Sequence, residues 1–257
     1  SENAVLDACN RDPWAKNARI ETAENVAKEA GFTKEQQDEV ALLRYQQYQA
    51  ALADDRAFQR RYMAPITLRR GKKEIGKVEA DEGIHPTTQE GLAKLAPVVP
   101  GGSVSFGSQT HPADGNAGLV ITSEGRAREL SAKPEVRVRV VAAAEARVEK
   151  GFMPKAVVPA ARAVLAKAGI AIGDLKAIKT HNPFAVNDLY FCKEFGLALK
   201  SINNFGSPLV YGHPQGPTGM RLSIELIEEL VAAGGGYGLF SGCAAGDTAM
   251  ALVVKVS

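Results

Sequence analysis

From Val136 to the end of the chain, apolar β-branched runs alternate with amphipathic helical stretches, and this alternation limits the possible fold more than any other feature. Residues 136–142, 175–180, 202–205, 237–241 and 249–256 have the length and residue types of strands, whereas 160–168, 185–195 and 221–232 carry apolar residues at helical spacing. Such a pattern specifies an α/β layered domain, with helices covering a mixed sheet. The last two strands, separated by a short stretch at 243–247, predict an antiparallel hairpin at the sheet edge. With 257 residues, 45% of them hydrophobic, the chain can bury a substantial core.

The first half reads differently. Residues 22–60 are charged and alanine-rich, with Val26, Val40, Leu43, Tyr48 and Leu52 at helical spacing, which predicts two helices of little hydrophobic depth. Thr33-Lys34-Glu35-Gln36 has the form of a capping box, with Thr as N-cap and Gln at N3. Between 63 and 112, short β-prone pieces such as Pro65-Ile66-Thr67-Leu68 alternate with Gly and Pro clusters, an irregular excursion of the kind that usually serves function. Residues 119–122 predict one further short strand.

Bulk properties exclude several classes. Lys and Arg total 31 against 29 Asp and Glu, so a formal charge of +2 gives no reason to expect nucleic acid as a partner. No apolar run reaches the ~18–20 residues of a membrane span, and the start has neither the basic nor the apolar region of a secretory signal, so a cytoplasmic location is expected. Cys9, Cys192 and Cys243 form no CxxC pair and no zinc-ligand spacing, and are expected to be free thiols with no metal site.

Three segments follow predicted strands, where open α/β sheets place their ligands. Thr180-His181-Asn182-Pro183-Phe184-Ala185 is a polar pair before a rigid turn that opens a helix. Taken alone, Asn182 reads as an N-cap and His181 as a surface side chain. In the run from Asn204 to Arg221, glycines and prolines crowd around His213, a density that lets backbone approach a ligand and fixes the imidazole's direction. Alone, this is a turn with a surface histidine. Ser241-Gly242-Cys243-Ala244-Ala245-Gly246-Asp247 ends a strand in a cysteine among small residues, where an isolated thiol is usually an inert small hydrophobe.

In this order the three segments resemble the blocks by which thiolases are recognised. These are a block ending in Phe-Ala, a Gly-His-Pro-x-Gly-x-[Ser/Thr]-Gly-x-Arg block that is complete here from Gly212 to Arg221, and a cysteine in a small-residue hairpin. Further similarity runs through Thr22-Ala23-Glu24-Asn25-Val26-Ala27, Thr33 to Asp38, Ala80-Asp81-Glu82, Ala93-Lys94-Leu95 and Asp114-Gly115. The resemblance implies an acyltransferase that cleaves or condenses 3-oxoacyl-CoA, with coenzyme A and acyl-CoA as substrates and no tightly bound cofactor. His213 matches the histidine that activates the acylated cysteine, and Cys243 matches the acid/base cysteine. His181 stands on the position of an enolate-oxygen donor. Thr110 aligns with a serine that contacts the pantetheine arm, Met153 with an apolar wall of the acyl pocket, and Phe184 with the aromatic of the first block. For Met153 and Phe184, plain core packing is an equal alternative. The implied organisation is a thiolase-like layered fold with a coenzyme-A-holding loop domain over 1–112, the last strand of an N-terminal half and a linker over 113–129, and a C-terminal domain over 130–257.

The sequence also departs from the family. His181-Asn182-Pro183 replaces the usual Asn-Glu-Ala, which is closer to the lipid-transfer-type and aromatic-catabolic thiolases. Ala244-Ala245-Gly246-Asp247 replaces a glycine run and brings a carboxylate that would raise the thiol's pKa if it faced the site. Cys9 lacks the surroundings of the acyl-accepting cysteine. The expected partner is therefore a second polypeptide that carries the N-terminal half with that cysteine, as a split-gene subunit or a cleaved fragment. A dimer of complete units is expected too, and an OB-fold zinc-binding subunit is suggested by analogy. A non-catalytic acyl-CoA-binding or scaffolding homologue is the alternative from a different class.

Overall fold

The computed structural model describes residues 10–257, so Cys9 lies outside it. Four strands form a sheet: β3 (Val138–Arg147), β4 (Leu175–His181), β5 (Gly236–Ala244) and β6 (Thr248–Val256), in the order β3-β6-β5-β4. The β3–β6 and β5–β6 pairs are antiparallel and β4–β5 is parallel, which makes the sheet mixed as expected. The terminal hairpin is not at the edge. Its strands β5 and β6 are central, and β3 and β4 are the edges. Near-continuous apolar runs fit that position, because a strand covered on both faces has no solvent side to leave polar.

One face is covered from β3 to β5 and the other at β4, β5 and the end of β6, with Met250 near the start of β6 left 57% exposed. Helix α5 (Val157–Ala168) packs on β3, β6 and β5, and helix α8 (Thr218–Ala232) packs on β4 and β5. The two-residue pleat divides the core between them: Val253 joins the cluster that holds Val157, Ala161 and Val164, whereas Val254 joins Leu226 and Leu230. Leu222, Leu226 and Leu230 repeat every four residues and are fully buried, each worth about 1.5–3 kcal/mol relative to exposure.

The first half wraps around this frame. Helices α1 (Arg19–Ala30) and α2 (Lys34–Ala51) match the two expected helices, and the Thr33 box closes as read, with Thr33 Oγ1 accepting from Gln36 N–H at 3.3 Å and Gln36 Oε1 accepting from Thr33 N–H at 2.9 Å. Helix α1 goes deeper than its composition suggested, placing Ala23, Val26 and Ala27 in the main core. The excursion contains an exposed hairpin of β1 (Ile66–Arg70) and β2 (Lys73–Val78), then the one-turn helix α3 (Gln89–Ala93). Helix α4 (Glu124–Leu130) leads into β3. Helix α6 (Ala185–Phe195) and the single turn α7 (Pro208–Tyr211) carry the site loops.

Two predicted strands do not form. Residues 119–122 have no strand beside them among the described residues and run unpaired, with Leu119, Val120 and Ile121 at 43%, 82% and 79% exposure. Residues 202–205 turn sharply, because Asn203 and Phe205 take φ of 57° and 65°. Asn203 nonetheless stands in for a neighbouring strand at the β4 edge. Its N–H donates to Ile178 O at 2.9 Å, and its Oδ1 accepts the Thr180 N–H at 2.8 Å. An asparagine tolerates the left-handed backbone and supplies the missing acceptor from its side chain.

Candidate active site

His181 ends β4 opposite Gly242 of β5, so the parallel pairing sets it one residue from Cys243 at the carboxyl ends of the two strands. The His213 ring lies against the His181 ring, with centroids 4.2 Å apart and planes at 38°. Arg19, at the start of α1, exerts its charge on His181, His213 and Cys243 alike, so the three groups share one electrostatic neighbourhood. Residues separated by up to 62 positions thus converge at one end of the sheet, where the sequence blocks had suggested a site.

Backbone geometry aims His213. Gly212 has φ 87° and ψ 175°, a conformation open essentially to glycine. The segment 108–112 then laces the two histidine loops together. Ala185 N–H donates to Ser108 O at 2.8 Å, Thr110 N–H to Pro183 O at 2.7 Å, and His213 N–H to His111 O at 2.9 Å. On the ring itself, His213 Nδ1 is 2.7 Å from Thr218 Oγ1, which fixes its rotation. Thr110, aligned with a pantetheine contact, gives its hydroxyl proton to Pro208 O at 2.6 Å, so in this structure it braces α7.

Asn182 corrects one expectation. It does not cap its own helix, because Pro183 and Phe184 intervene. Its Oδ1 accepts the Leu209 N–H of α7 at 3.3 Å, and its Nδ2 donates to Asp188 at 2.6 Å and to Ser207 at 3.0 Å. His181 is likewise no surface residue, since it is 6% exposed and its Nδ1 has no hydrogen-bond partner among the described residues. Met153 and Phe184 are both buried in the main core cluster.

A buried carboxylate, missed in the sequence, anchors this corner. Asp188 accepts from Arg44 Nε at 2.8 Å, Thr180 Oγ1 at 2.6 Å, Asn182 Nδ2 at 2.6 Å and Asn203 Nδ2 at 3.3 Å. Thr180 and Asn182 flank His181, so one side chain clamps the histidine's backbone from both sides. An aspartate inside a helix gives no local signal, because its partners come from distant segments. Arg221, the last residue of the Gly212 block, is also a brace, since its guanidinium is bidentate to Asp81 at 2.5 and 2.8 Å and lies 3.5 Å over the Tyr211 ring.

Burial sets the protonation states. It drives His213 down to about 4, with Arg19 adding to the effect, and holds His181 well below its ordinary value, with His213 and Arg19 adding. Both imidazoles are therefore neutral at pH 7. Burial likewise pushes the Cys243 thiol up to about 12. The Asp247 carboxylate is not the cause. It is turned away to accept the Gly151 N–H at 3.0 Å, which ties the hairpin to the loop before α5.

The depressed histidines fix a sign for pH dependence. The unfolded chain takes up protons near pH 6.5 and the folded one does not, so their contribution is complete above 6.5 and is lost as pH falls towards about 4. Melting temperatures measured from pH 7 to pH 4 should fall across that window, and His213→Gln should lose less than the parent chain over the same range.

Two family profiles match: the thiolase N-terminal domain over residues 11–125 and the thiolase C-terminal domain over residues 134–256. Acetyl-CoA acetyltransferase of Allochromatium vinosum is 36% identical over 236 residues, covering 91% of this chain and 59% of that protein. The beta-ketoadipyl-CoA thiolase of Acinetobacter baylyi is 32% identical over 241 residues, with the same coverage of 91% and 59%. Among solved structures, Bacillus anthracis acetyl-CoA acetyltransferase superposes with a TM-score of 0.90 at 31% identity, covering 100% of this chain and 64% of that one. Human mitochondrial 3-ketoacyl-CoA thiolase in complex with CoA gives 0.85 at 26% identity, covering 100% and 63%. The chain thus spans about three fifths of the length of its relatives. With matches on both sides of residue 130 and a convergent His213, His181 and Cys243 corner, the chain belongs to the thiolase family.

Proposed function

We propose that this chain carries the acid/base half of a thiolase site for 3-oxoacyl-CoA cleavage or formation, with coenzyme A and acyl-CoA as substrates. The gathering of His213, His181 and Cys243 around the ends of β4 and β5 carries the reading. The bound CoA named for the human mitochondrial relative supports the substrate class.

In this reading neutral His213, its Nδ1 proton directed at Thr218 Oγ1, takes the proton of the acyl-accepting thiol at Nε2, holds it there in a hydrogen bond donated to a thioester oxygen, and returns it to that cysteine on its release. His181 supplies a second donor to that oxygen. In condensation, acylation releases a coenzyme A thiolate that takes the Cys243 thiol proton; the Cys243 thiolate then removes a proton from the α-carbon of acyl-CoA, so that a C–H bond breaks, S–H forms, and the electron pair passes into the enolate. The carbanion attacks the acyl thioester and expels the acceptor cysteine. In thiolysis the steps reverse, and the protonated Cys243 returns the proton. The high resting pKa of the buried thiol suits this acid role.

Cys192 is a poor acyl acceptor, because it lies in the core and burial holds its thiol near 12. We propose that this role belongs to the N-terminal half of the fold, carried by a second polypeptide packed over the apolar run Leu119, Val120 and Ile121. The expected assembly is a dimer of such units. Isolation under gentle conditions should yield a second polypeptide of thiolase character, and a stable lone monomer of 27.3 kDa would refute that part.

Cys243→Ala tests the chemistry. Turnover in the assembled enzyme should fall about 10²- to 10⁴-fold while coenzyme A binding by calorimetry is kept. Unchanged turnover would remove Cys243 from the chemistry, whereas coenzyme A binding with no turnover in the parent assembly would point instead to an acyl-CoA-binding or scaffolding homologue.

A further inference from the structure

Helix α6 begins with a side chain that the mechanism above leaves unused. Asn187 is fully buried, and its Nδ2 lies 3.4 Å from Cys243 Sγ. The direction of this amide is not arbitrary. Its Oδ1 accepts the Phe184 N–H at 3.3 Å, one of the donors that the first turn of a helix cannot satisfy internally. Turning the amide over would set an NH₂ against that N–H, so the oxygen stays on the backbone and the NH₂ faces the sulfur. Phe184 has no hydrogen-bonding side chain, so the helix start relies on Asn187 for this acceptor. The cap and the thiol contact are thus made by opposite ends of one planar group.

We propose that Asn187 is a further catalytic residue, a fixed hydrogen-bond donor that stabilises the thiolate form of Cys243 during α-proton transfer. This rests on the thiolase reading for the role of Cys243, although the contact itself does not depend on it. The chemistry requires such a donor. A thiol that both takes and returns a carbon-bound proton must reach its anion, and burial opposes that anion. A hydrogen bond to the charged form offsets part of the desolvation. Around Cys243 the ionisable surroundings are Arg19 of α1, whose charge also favours the thiolate, and the neutral His181 and His213. The Asp247 carboxylate is engaged at Gly151. Asn187 is the donor that touches the sulfur from α6.

Two variants that preserve volume separate the donor from the cap. Asn187→Asp keeps an oxygen for the Phe184 N–H but replaces the donor with an anionic acceptor beside the sulfur. Asn187→Leu fills the same space with no donor and no charge. The readout is the rate of iodoacetamide alkylation at Cys243, followed at pH 8 by peptide mass spectrometry on the full chain. Cys192, buried elsewhere on the same helix, serves as the internal gauge of folding. With alkylation limited by the thiolate fraction, each unit of upward pKa shift slows the reaction about threefold once the rise in nucleophilicity is counted. Asn187→Leu should therefore react about threefold more slowly at Cys243 and Asn187→Asp more slowly still, with Cys192 unchanged.

An unchanged Cys243 rate in both variants, with Cys192 also unchanged, would overturn the proposal. Should the aspartate loosen the chain, seen as faster alkylation of Cys192, the leucine variant decides alone. If it loosens too, the residue serves mainly as a cap and the catalytic assignment falls. Since alkylation requires no turnover, failure here is distinguishable from failure of the thiolase reading, which Cys243→Ala tests.

Discussion

Asp188→Ala should destabilise the chain by about 3–5 kcal/mol, the usual cost of removing one partner from a fully buried ion pair. Arg44 and Asp188 have no exposed side-chain surface, and Arg44 Nε would lose its carboxylate while its NH1 kept only neutral acceptors in Gln47, Leu199 O and Ile202 O. Thr180, Asn182 and Asn203 would lose their shared acceptor in the same step. Denaturant unfolding followed by circular dichroism measures the loss. The pair's own net contribution is a separate quantity, because bringing both charges out of water offsets much of their attraction. An Arg44→Met, Asp188→Leu double variant should accordingly lose less than Asp188→Ala alone. If the single variant unfolds at the parent's midpoint, the carboxylate is not the anchor described above. The corner of His181 would then have to be held by its β5 pairing alone.

Under the proposed function, Gly212→Ala should reduce turnover of the assembled enzyme about 10²-fold, although alanine adds only a methyl group. Its Cβ would stand 2.8 Å from Ala113 Cβ and 2.9 Å from His111 Nε2, on a backbone with φ of 87°. The strain amounts to about 1–3 kcal/mol, and the loop can relieve it only by shifting, which carries His213 with it. A displacement of about 1 Å at a catalytic group is enough for a loss of that size. Steady-state kinetics should show the effect mainly in kcat, with coenzyme A binding by calorimetry altered less. Gly216 is the control from the same block: a Cβ there meets nothing within 4 Å, and its φ is not in the left-handed region, so Gly216→Ala should be nearly silent. Equal losses at both glycines would mean that the block is sensitive to any change and that the aim of His213 is not what Gly212 protects.

Much of this architecture was legible in the order of residues, because it follows from local rules. Hydrophobic period separates strand from helix, and the Gly-His-Pro block combines backbone freedom with a ring that can accept and donate a proton. Thr33 and Gln36 closed their box as read because capping is settled within four residues. The strand at 119–122 failed for a related reason. A β-branched run specifies only that a segment suits a sheet, and the partner that makes it a strand must come from elsewhere. The segment at 202–205 failed because Asn203 could supply from its side chain what a neighbouring strand supplies from its backbone.

What tertiary structure alone decided is the company each group keeps. The sequence determined that the site draws on the Cys243 thiol, the His181 and His213 imidazoles and a mixed α/β frame to carry them. Folding decided that Asp247 turns away from that thiol to Gly151, that Asn182 serves α7 and not its own helix, and that Asp188 and Asn187 stand beneath the site. The physical reason is that protonation and aim depend on burial and on distant partners, such as Arg44 and Leu199, which are 155 residues apart, and no local pattern records either.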